Sequence, residues 1–180
     1  MIENGIGASV RRKEDIRFLT GKGNYTDDVN VVGQTYAYFV RSPHAHATIN
    51  SIDTSVASSS DGVIAVFTGD DLAADGIGPL ICGVNVTGDD GEPHKAPAHP
   101  ALAQGKVNYV GDHVAVVIAE TLDQAKDAAE KVEVDYGILA AVTDTASASD
   151  DAQQQIHAEA PNNICYNWPF GEKEAVNDAF

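Results

Sequence analysis

The spacing of apolar residues predicts short β-strands through the first half of the chain. Alternating or continuous apolar segments bounded by turn residues are typical of strands, and they cover residues 34–40, 45–52 and 62–67. A short helical turn is expected within residues 53–60. Thr68 stands at a helix-cap position, and the aspartates that follow favour a helix start because the helix dipole attracts carboxylates there. Residues 73–105 are rich in Gly, Pro and Asp without periodicity, which predicts a long loop.

The second half of the chain carries strands and a helix in close succession. Two β-branched runs are separated by Gly111, and a later segment alternates as a half-exposed strand. Thr121 and Gln124 fit a capping box, so a helix with a narrow apolar stripe is expected to begin there. The order predicts a βαβ-like unit within a mixed α/β domain. The predicted strands cover residues 107–110, 113–119 and 132–136.

The two ends of the chain differ from this α/β region. Residues 1–32 are mostly polar with turn signals, which predicts an arm. Residues 146–162 are dominated by small and polar residues, which predicts a linker. A second unit is expected over residues 163–180, with a strand at 163–168 and then a helix that is cut at its end. The predicted organisation is therefore an arm, an α/β domain over residues 33–145, a linker and the truncated start of another domain.

The charge pattern excludes several function classes. The chain has 180 residues and a formal net charge of −16, and its carboxylates are spread along the sequence rather than gathered in a tail. Such a surface repels nucleic acid and anionic lipid. No basic region precedes an apolar core at the start, and no apolar run could span a bilayer, so a soluble, cytoplasmic protein is expected. Cys82 and Cys165 lack the spacing of a disulfide framework or an iron–sulfur site, so plain thiols are expected.

Two histidines and an arginine near the second predicted strand are the candidates for site chemistry. His44 and His46 alternate in an extended segment, which would place both imidazoles on one face, as zinc or copper could use. Zinc would need further ligands, and the candidates are His94, His99 and Asp112. Because these are not brought together by spacing, the favoured interpretation is a pair of hydrogen-bonded strand histidines. For Arg41 an anion site is possible, but an ion pair with one of the many carboxylates is favoured.

Two motifs resemble the amino-terminal region of molybdenum hydroxylase large subunits, the xanthine dehydrogenase and aldehyde oxidase family. They are EDIRFLTGKGNYTDD at residues 14–28 and VRSPHAHA at residues 40–47, and they look most like the aerobic carbon monoxide dehydrogenase type. Further segments are similar to the family in the same order along most of the chain, at residues 62–72, 114–121 and 132–136. An ordered series is a stronger signal than any one of these pieces.

The resemblance implies an α/β-hammerhead domain followed by the truncated start of a molybdopterin-binding domain. In this family a molybdenum centre held by a pterin cofactor carries out the oxidation, and electrons leave through iron–sulfur clusters and FAD on partner subunits. No catalytic, cofactor-binding or metal residue is expected in this chain, because the family's cofactor loops have no match here. The expected partners are the remaining molybdopterin-binding domains, the iron–sulfur and flavin subunits and, in a homo-oligomer, a second copy, with no nucleic acid and no membrane.

The residues on the family motifs are expected to have structural or interface roles. They are Asp15, Arg17, Gly21, Gly23, Tyr25, Asp28, Arg41, Ser42, Pro43, His44, His46, Gly111 and Tyr136. An alternative from another class is a free-standing acidic hammerhead module without catalysis, which would bind a protein or small ligand at the loop of residues 73–104. The substrate type, whether carbon monoxide, an aldehyde or a heterocycle, is left open by these motifs.

Overall fold

The computed structural model describes residues 6–7, 12–168 and 170–180. The chain divides into two units, Met1–Gln34 and Thr35–Phe180. In the first unit, helix α1 spans Asp15–Leu19 and a 3-10 turn spans Thr26–Asp28. Residues 1–5 and 8–11 of the predicted arm lie outside the described residues. Among the helices that the structure describes, none is long and apolar enough to cross a membrane.

The second unit carries strands and short helices close to the predicted positions. The first elements are β1 Tyr36–Arg41, β2 Ala47–Asp53, α2 Ser55–Ser58, β3 Val63–Thr68 and α3 Gly69–Ala74. A long loop follows, as predicted, and contains an isolated bridge between Thr87 and Pro93. The later elements are β4 Lys106–Val107, β5 His113–Ala119, α4 Leu122–Ala129, β6 Glu133–Ile138, a 3-10 turn Pro161–Asn163 and α5 Lys173–Ala179.

Successive strands alternate between two three-stranded sheets. Sheet A has the order β1-β5-β3 and sheet B has the order β4-β2-β6, with every pairing antiparallel. Each connection therefore carries the chain from one sheet to the other. The predicted βαβ-like unit is wrong, because α4 joins β5 of sheet A to β6 of sheet B, whereas a βαβ unit needs parallel strands in one sheet. The strand–helix–strand order is correct, but it does not encode the pairing partners.

The first residues of helices α3 and α4 are set by capping side chains that the local sequence predicts. Thr68 and Asp71 form a full capping box at α3, in which the Asp71 carboxylate accepts the Thr68 backbone N–H at 2.7 Å. At α4 the Thr121 hydroxyl accepts the Gln124 backbone N–H at 3.2 Å. The Gln124 side chain accepts the Thr121 hydroxyl instead of its backbone N–H, so the predicted box is half formed. Both helices begin where the caps predict.

Helix α4 lies on sheet A through the small side chains of its predicted apolar stripe. Ala125, Ala128 and Ala129 are buried, and the last two form a core cluster with Val117 of β5. Because alanine adds little bulk, the helix backbone can approach the strands closely, and the valines around it complete the packing. These are Val40, Val63, Val66 and Val132. A second buried cluster joins the two sheets and contains Ala47, Ala103, Val107 and Val114.

The segment after β6 contacts the rest of the second unit mainly through polar groups. The Lys106 ammonium donates to the Ile156 carbonyl at 2.5 Å, and the Lys95 backbone N–H donates to the Cys165 carbonyl at 2.8 Å. Ala160 is buried, whereas Trp168 has more than half of its surface exposed. The segment is thus held by backbone carbonyls rather than by a large apolar surface.

The strand predicted at residues 163–168 is wrong. Asn162 and Asn163 have φ of 54° and 56°, which is left-handed backbone that cannot continue into an extended strand. The Asn163 amide instead donates to the carbonyls of Ala148 and Gln154, each at 3.0 Å. Asparagine tolerates this conformation because its short side chain can hydrogen-bond nearby backbone.

We expect Gly69→Ala to destabilise the protein by about 1–3 kcal/mol. Gly69 is buried at the start of α3, and a Cβ there would lie 2.3 Å from the backbone oxygen of Ala103. The contact is with backbone, so the neighbour cannot move aside cheaply. Urea unfolding monitored by circular dichroism measures the loss.

Gly78→Ala is the matched control, because a Cβ at Gly78 would meet nothing within 4 Å. Its unfolding free energy should stay within about 0.5 kcal/mol of the original chain. Equal losses in the two variants would contradict the close approach at Gly69.

Candidate functional site

Two crossings between the sheets meet at a joint that we call the crossover joint, made of residues 41–46 and 108–113. The first segment leads from β1 to β2, and the second leads from β4 to β5. The Ser42 N–H donates to the Asp112 carbonyl at 2.8 Å, and the Gly111 N–H donates to the Ser42 carbonyl at 2.8 Å. This reciprocal pair of backbone hydrogen bonds fixes both crossings against each other.

The side chain of Ser42 closes the first segment of the joint. Ser42 is 2% exposed, and its hydroxyl donates to the His44 carbonyl at 2.9 Å while accepting the His44 N–H at 3.0 Å. Pro43 stands between the two residues and has a fixed φ, which favours this tight turn. The order Ser-Pro-His therefore folds into a locked turn as the chain leaves sheet A.

The side chain of Asp112 closes the second segment of the joint. Asp112 is buried, and its carboxylate accepts the Asn108 N–H at 3.1 Å. Gly111, with φ of 91°, supplies the left-handed backbone that this turn needs. The strand predicted at residues 107–110 therefore ends at Val107, because the Asn108 N–H is taken by the turn instead of by a neighbouring strand.

Arg41 does not form the ion pair that its sequence context favours. Its guanidinium donates to the Gly111 carbonyl at 3.3 Å, and the one ion pair found in the described part of the chain joins Arg12 and Asp15. The Gly111 carbonyl lies within reach because the crossover joint places it beside the end of β1. Arg41 thus adds a further tie between the two crossings.

The two motif histidines lie in the connection between β1 and β2, so the prediction that they are strand residues is wrong. His46 is 3% exposed, and its Nδ1 lies 2.7 Å from the Ala140 carbonyl, to which it donates. His44 is partly buried, and its ring packs edge-on against Tyr136 with centroids 5.0 Å apart. The rings of His44 and His46 therefore do not lie on one shared face, as their alternation predicts. They have different surroundings because the backbone bends after Pro43.

Burial changes the acid–base behaviour of the rings around the joint. Burial raises the pKa of the Tyr136 hydroxyl. For His113, whose ring stacks on Phe39 with centroids 4.6 Å apart, burial and then the Arg41 charge lower the imidazole pKa. Burial and the Lys106 charge likewise lower the pKa of His157. Both shifts favour the neutral imidazole.

The remaining motif residues lie in the first unit and form a local structure there. The rings of Phe18 and Tyr25 stack with centroids 5.7 Å apart, and Gly23 lies against both, since a Cβ at Gly23 would be 3.1 Å from Phe18. The Arg17 guanidinium lies 4.9 Å from the Phe18 ring centroid. The Asp28 carboxylate accepts the Tyr25 N–H at 2.9 Å.

Asp15 and Gly21 complete this group. Asp15 accepts from the Arg12 guanidinium at 3.0 Å, and Gly21 has φ of 70° in the turn after α1. The structure therefore brings the predicted residues together as two groups, one in each unit.

A cavity of 220 Å³ lies beside the crossover joint, and sequence reasoning missed most of its polar lining. The Tyr109 hydroxyl lies 3.3 Å from His99 Nε2 at its wall. The Asn108 side-chain oxygen is buried without a hydrogen-bond partner. The polar residues that line it are His99, Gln104, Lys106, Asn108, Asp112 and His157. Five of them lie within residues 99–112 and His157 comes from the segment after β6, so no local pattern could have grouped all six.

A second cavity of 420 Å³ is formed by the long loop and the segment after β6. It is lined mainly by apolar residues, including Leu80, Ile81 and Val84. Both thiols are free, as predicted, and Cys82 Sγ lies 3.7 Å from His94 Nε2. Among the described residues, no three His, Cys, Asp or Glu side chains converge as metal ligands. This cavity therefore has apolar walls and does not present a set of metal ligands.

We expect Ser42→Ala to lower the unfolding free energy by about 1–3 kcal/mol, since the variant leaves the His44 N–H without its hydrogen-bond acceptor. Ser58→Ala is the matched control, because Ser58 is an exposed helical serine, and it should change stability by less than about 0.5 kcal/mol. Chemical unfolding of both variants gives the comparison. A Ser42→Ala chain as stable as the control would contradict the role of the hydroxyl.

Stability is also expected to fall as the pH is lowered through the range in which histidine titrates. The ordinary histidine pKa is 6.5, and the folded values of His113 and His157 lie below it. The folded chain therefore binds fewer protons than the unfolded chain. The contribution of these two histidines to the unfolding free energy is fully present above pH 6.5. It is lost as the pH falls from 6.5 through their folded pKa values.

Urea unfolding at pH values between about 8 and 5.5, above the range in which carboxylates titrate, measures this slope. The double variant His113→Gln, His157→Gln should show a flatter dependence than the original chain. An unchanged slope in the double variant would contradict the assignment to these two histidines.

The chain is similar in sequence to proteins of one family. Residues 20–140 match the family described as aldehyde oxidase and xanthine dehydrogenase, a/b hammerhead domain. The carbon monoxide dehydrogenase large chain of Afipia carboxidovorans is 37% identical over 188 aligned positions, covering 98% of this chain and 22% of the relative. The nicotine 6-hydroxylase large subunit of Paenarthrobacter nicotinovorans is 40% identical, covering 89% of this chain and 19% of the relative.

Solved structures give the same result. The chain superposes on reconstituted CO dehydrogenase from Oligotropha carboxidovorans with a TM-score of 0.74 at 36% identity, covering 97% of this chain and 22% of that one. Quinoline 2-oxidoreductase from Pseudomonas putida 86 gives a TM-score of 0.70 at 38% identity, covering 83% of this chain and 18% of that one. The chain thus spans about a fifth of the length of these relatives. It belongs to the aldehyde oxidase and xanthine dehydrogenase family and contains that family's α/β-hammerhead domain.

Proposed function

We propose that this chain is the amino-terminal scaffold and interface portion of the large subunit of a molybdenum-dependent hydroxylase or dehydrogenase, of the carbon monoxide dehydrogenase or aldehyde/xanthine type. The observation that supports this proposal most is the extent of the sequence similarity. The aligned region covers 98% of this chain but 22% of the carbon monoxide dehydrogenase large chain of Afipia carboxidovorans. The domain organisation predicted from sequence, with the start of a molybdopterin-binding domain after residue 162, belongs to the same proposal.

The contacts of the motif residues support a scaffold role. Ser42, Gly111 and Arg41 are used in hydrogen bonds to backbone, and His44 and Tyr136 pack against each other. The Ser42 hydroxyl is taken by hydrogen bonds to the His44 backbone, and the Arg41 guanidinium donates to the Gly111 carbonyl, so both side chains hold the two sheet crossings. Their role in the proposal is to fix the shape of the domain.

The apolar cavity of the long loop does not suit the family's molybdenum group. Among the described residues no three ligating side chains converge, and the 420 Å³ cavity has mostly apolar walls, with Lys95 as the cation in its lining. A pterin cofactor with its phosphate would need several hydrogen-bond donors in such a cavity. The proposal therefore assigns the molybdenum cofactor to later domains of the large subunit, and the iron–sulfur clusters and FAD to partner subunits.

The test of this function has two arms. The isolated chain should contain no stoichiometric molybdenum by elemental analysis and should not reduce a dye with carbon monoxide, an aldehyde or a heterocycle. A chimera should behave differently, in which this chain replaces the matching region of the Afipia carboxidovorans large chain and is co-expressed with iron–sulfur and flavin subunits. It should contain molybdenum and reduce the dye.

The unmodified relative, produced in the same way, is the control for assembly. Stoichiometric molybdenum in the isolated chain, or a chimera that assembles without molybdenum while the control contains it, would contradict the proposal.

A second candidate is a free-standing acidic hammerhead module that binds a small ligand at its long loop. The observation in its favour is the 420 Å³ apolar cavity, which is lined by loop residues together with Cys165 and Tyr166. This candidate requires the isolated chain to bind an apolar ligand stoichiometrically, and the chimera to lack molybdenum. Calorimetric titration with apolar probes separates it from the scaffold function.

A further inference from the structure

The cavity of 220 Å³ beside the crossover joint contains a buried carboxylate without a cation. Asp112 lines this cavity and is 6% exposed. Its carboxylate accepts the Asn108 N–H at 3.1 Å, whereas the one ion pair found in the described residues joins Arg12 and Asp15. A buried carboxylate has lost hydration free energy that no counter-ion replaces here. A ligand with a positive charge would supply the missing partner.

The Asn108 side chain adds an unused acceptor to the same wall. Its Oδ1 atom is buried and has no hydrogen-bond partner among the described residues. Asn108 and Asp112 belong to one turn of the joint, which their own hydrogen bond closes. Because buried polar atoms are nearly always paired, this oxygen and the carboxylate together favour a ligand group with several N–H donors. A primary ammonium group has three of them.

A basic group lines another part of the cavity. The Lys106 ammonium donates to the Ile156 carbonyl at 2.5 Å, so it reaches the segment after β6 and has two further N–H donors. His157, the next residue of that segment, also lines the cavity. Lys106 and Asn108 are two positions apart, and in extended backbone such residues share one side with Cα atoms about 7 Å apart. The positive and negative groups of the cavity therefore lie at different ends.

The volume and the remaining walls limit what can bridge the two ends. A cavity of 220 Å³ is about seven times the share of one water in the liquid, roughly 30 Å³, which is room for a ligand of about seven non-hydrogen atoms. Apolar side chains in the lining would pack against the methylene groups of such a ligand. They are Pro97, Ala98, Pro100 and Ala103.

We propose that this cavity binds a small ω-amino acid, with its ammonium group on Asp112 and Asn108 and its carboxylate on Lys106 and His157. This binding goes beyond the scaffold function proposed above and does not depend on it. Lys106 would repel an amine that has no carboxylate, and Asp112 would repel a simple carboxylate. An α-amino acid carries both charges on one carbon, so it cannot reach both ends.

Calorimetric titration of the 180-residue chain with four compounds of similar size tests the recognition at both ends. γ-Aminobutyrate should bind with a Kd below about 1 mM, which is within the range for so small a ligand. Butylamine and butyrate should each bind at least about tenfold more weakly, because each leaves one charged end without its partner. The isomer α-aminobutyrate should be weakened to the same extent.

Equal affinity for γ-aminobutyrate and any one of the other three compounds would overturn the proposal. It would mean that the cavity reads one charge, or both charges at one point. Absence of binding by all four compounds would also overturn it, because the unpaired groups would then be satisfied by water alone.

A charge-removing variant shows which end holds the carboxylate. In Lys106→Met the preference for γ-aminobutyrate over butylamine should fall from at least about tenfold to below about threefold, since the carboxylate has lost its partner. A purely structural effect would weaken both compounds together and leave this ratio unchanged, which would contradict the assignment. Lys126→Met is the matched control, because Lys126 is exposed on α4, and it should keep the original ratio.

A second variant tests the ammonium end and does not remove the tie between Lys106 and Ile156. Asn108→Leu replaces an oxygen that has no partner in the fold by an apolar group of similar size. It should weaken γ-aminobutyrate binding at least about tenfold, whereas Asn30→Leu at an exposed asparagine should leave the affinity unchanged. Equal affinity of the Asn108→Leu chain and the original chain would overturn the proposal.

Discussion

The reciprocal backbone hydrogen bonds between Ser42 and the Gly111–Asp112 turn are the constraint on which the rest of the second unit depends. They join two crossings that are far apart in the chain, one leaving sheet A and one returning to it. If either crossing moved, buried backbone groups would lose their partners, and each such loss costs about 1–3 kcal/mol. The Ser42 hydroxyl, the Asp112 carboxylate and the Arg41 guanidinium all strengthen the same joint.

The joint ties together two of the five connections by which successive strands alternate between the sheets. Each of β1, β3 and β5 is separated from its partners in sheet A by a passage through sheet B. Register must then be set by side-chain burial and by the crossings rather than by tight hairpins. Val117 and Val114 meet this requirement, since one is buried under α4 and the other is buried against sheet B. The central strand thus connects the two cores of the domain.

In this architecture the residues of the two family motifs contact neighbouring backbone and rings. Residues of the VRSPHAHA motif form hydrogen bonds within the crossover joint. In the motif of residues 14–28, the Phe18 and Tyr25 rings stack and the Asp28 carboxylate accepts the Tyr25 N–H. The chain belongs to the aldehyde oxidase and xanthine dehydrogenase family, and these contacts of its motif residues shape the hammerhead domain.

The sequence by itself determined most of the elements and the family, because strand alternation, helix caps and short motifs are local properties. Thr68 and Thr121 mark the two helix starts correctly, and the alanine stripe of α4 is buried as its spacing indicates. The tertiary structure alone decided the strand partners, the different surroundings of His44 and His46, and the cavity beside Asp112. These depend on residues brought together from distant parts of the chain. Arg41 shows the physical reason: many carboxylates were available in sequence, but the joint placed the Gly111 carbonyl within its reach.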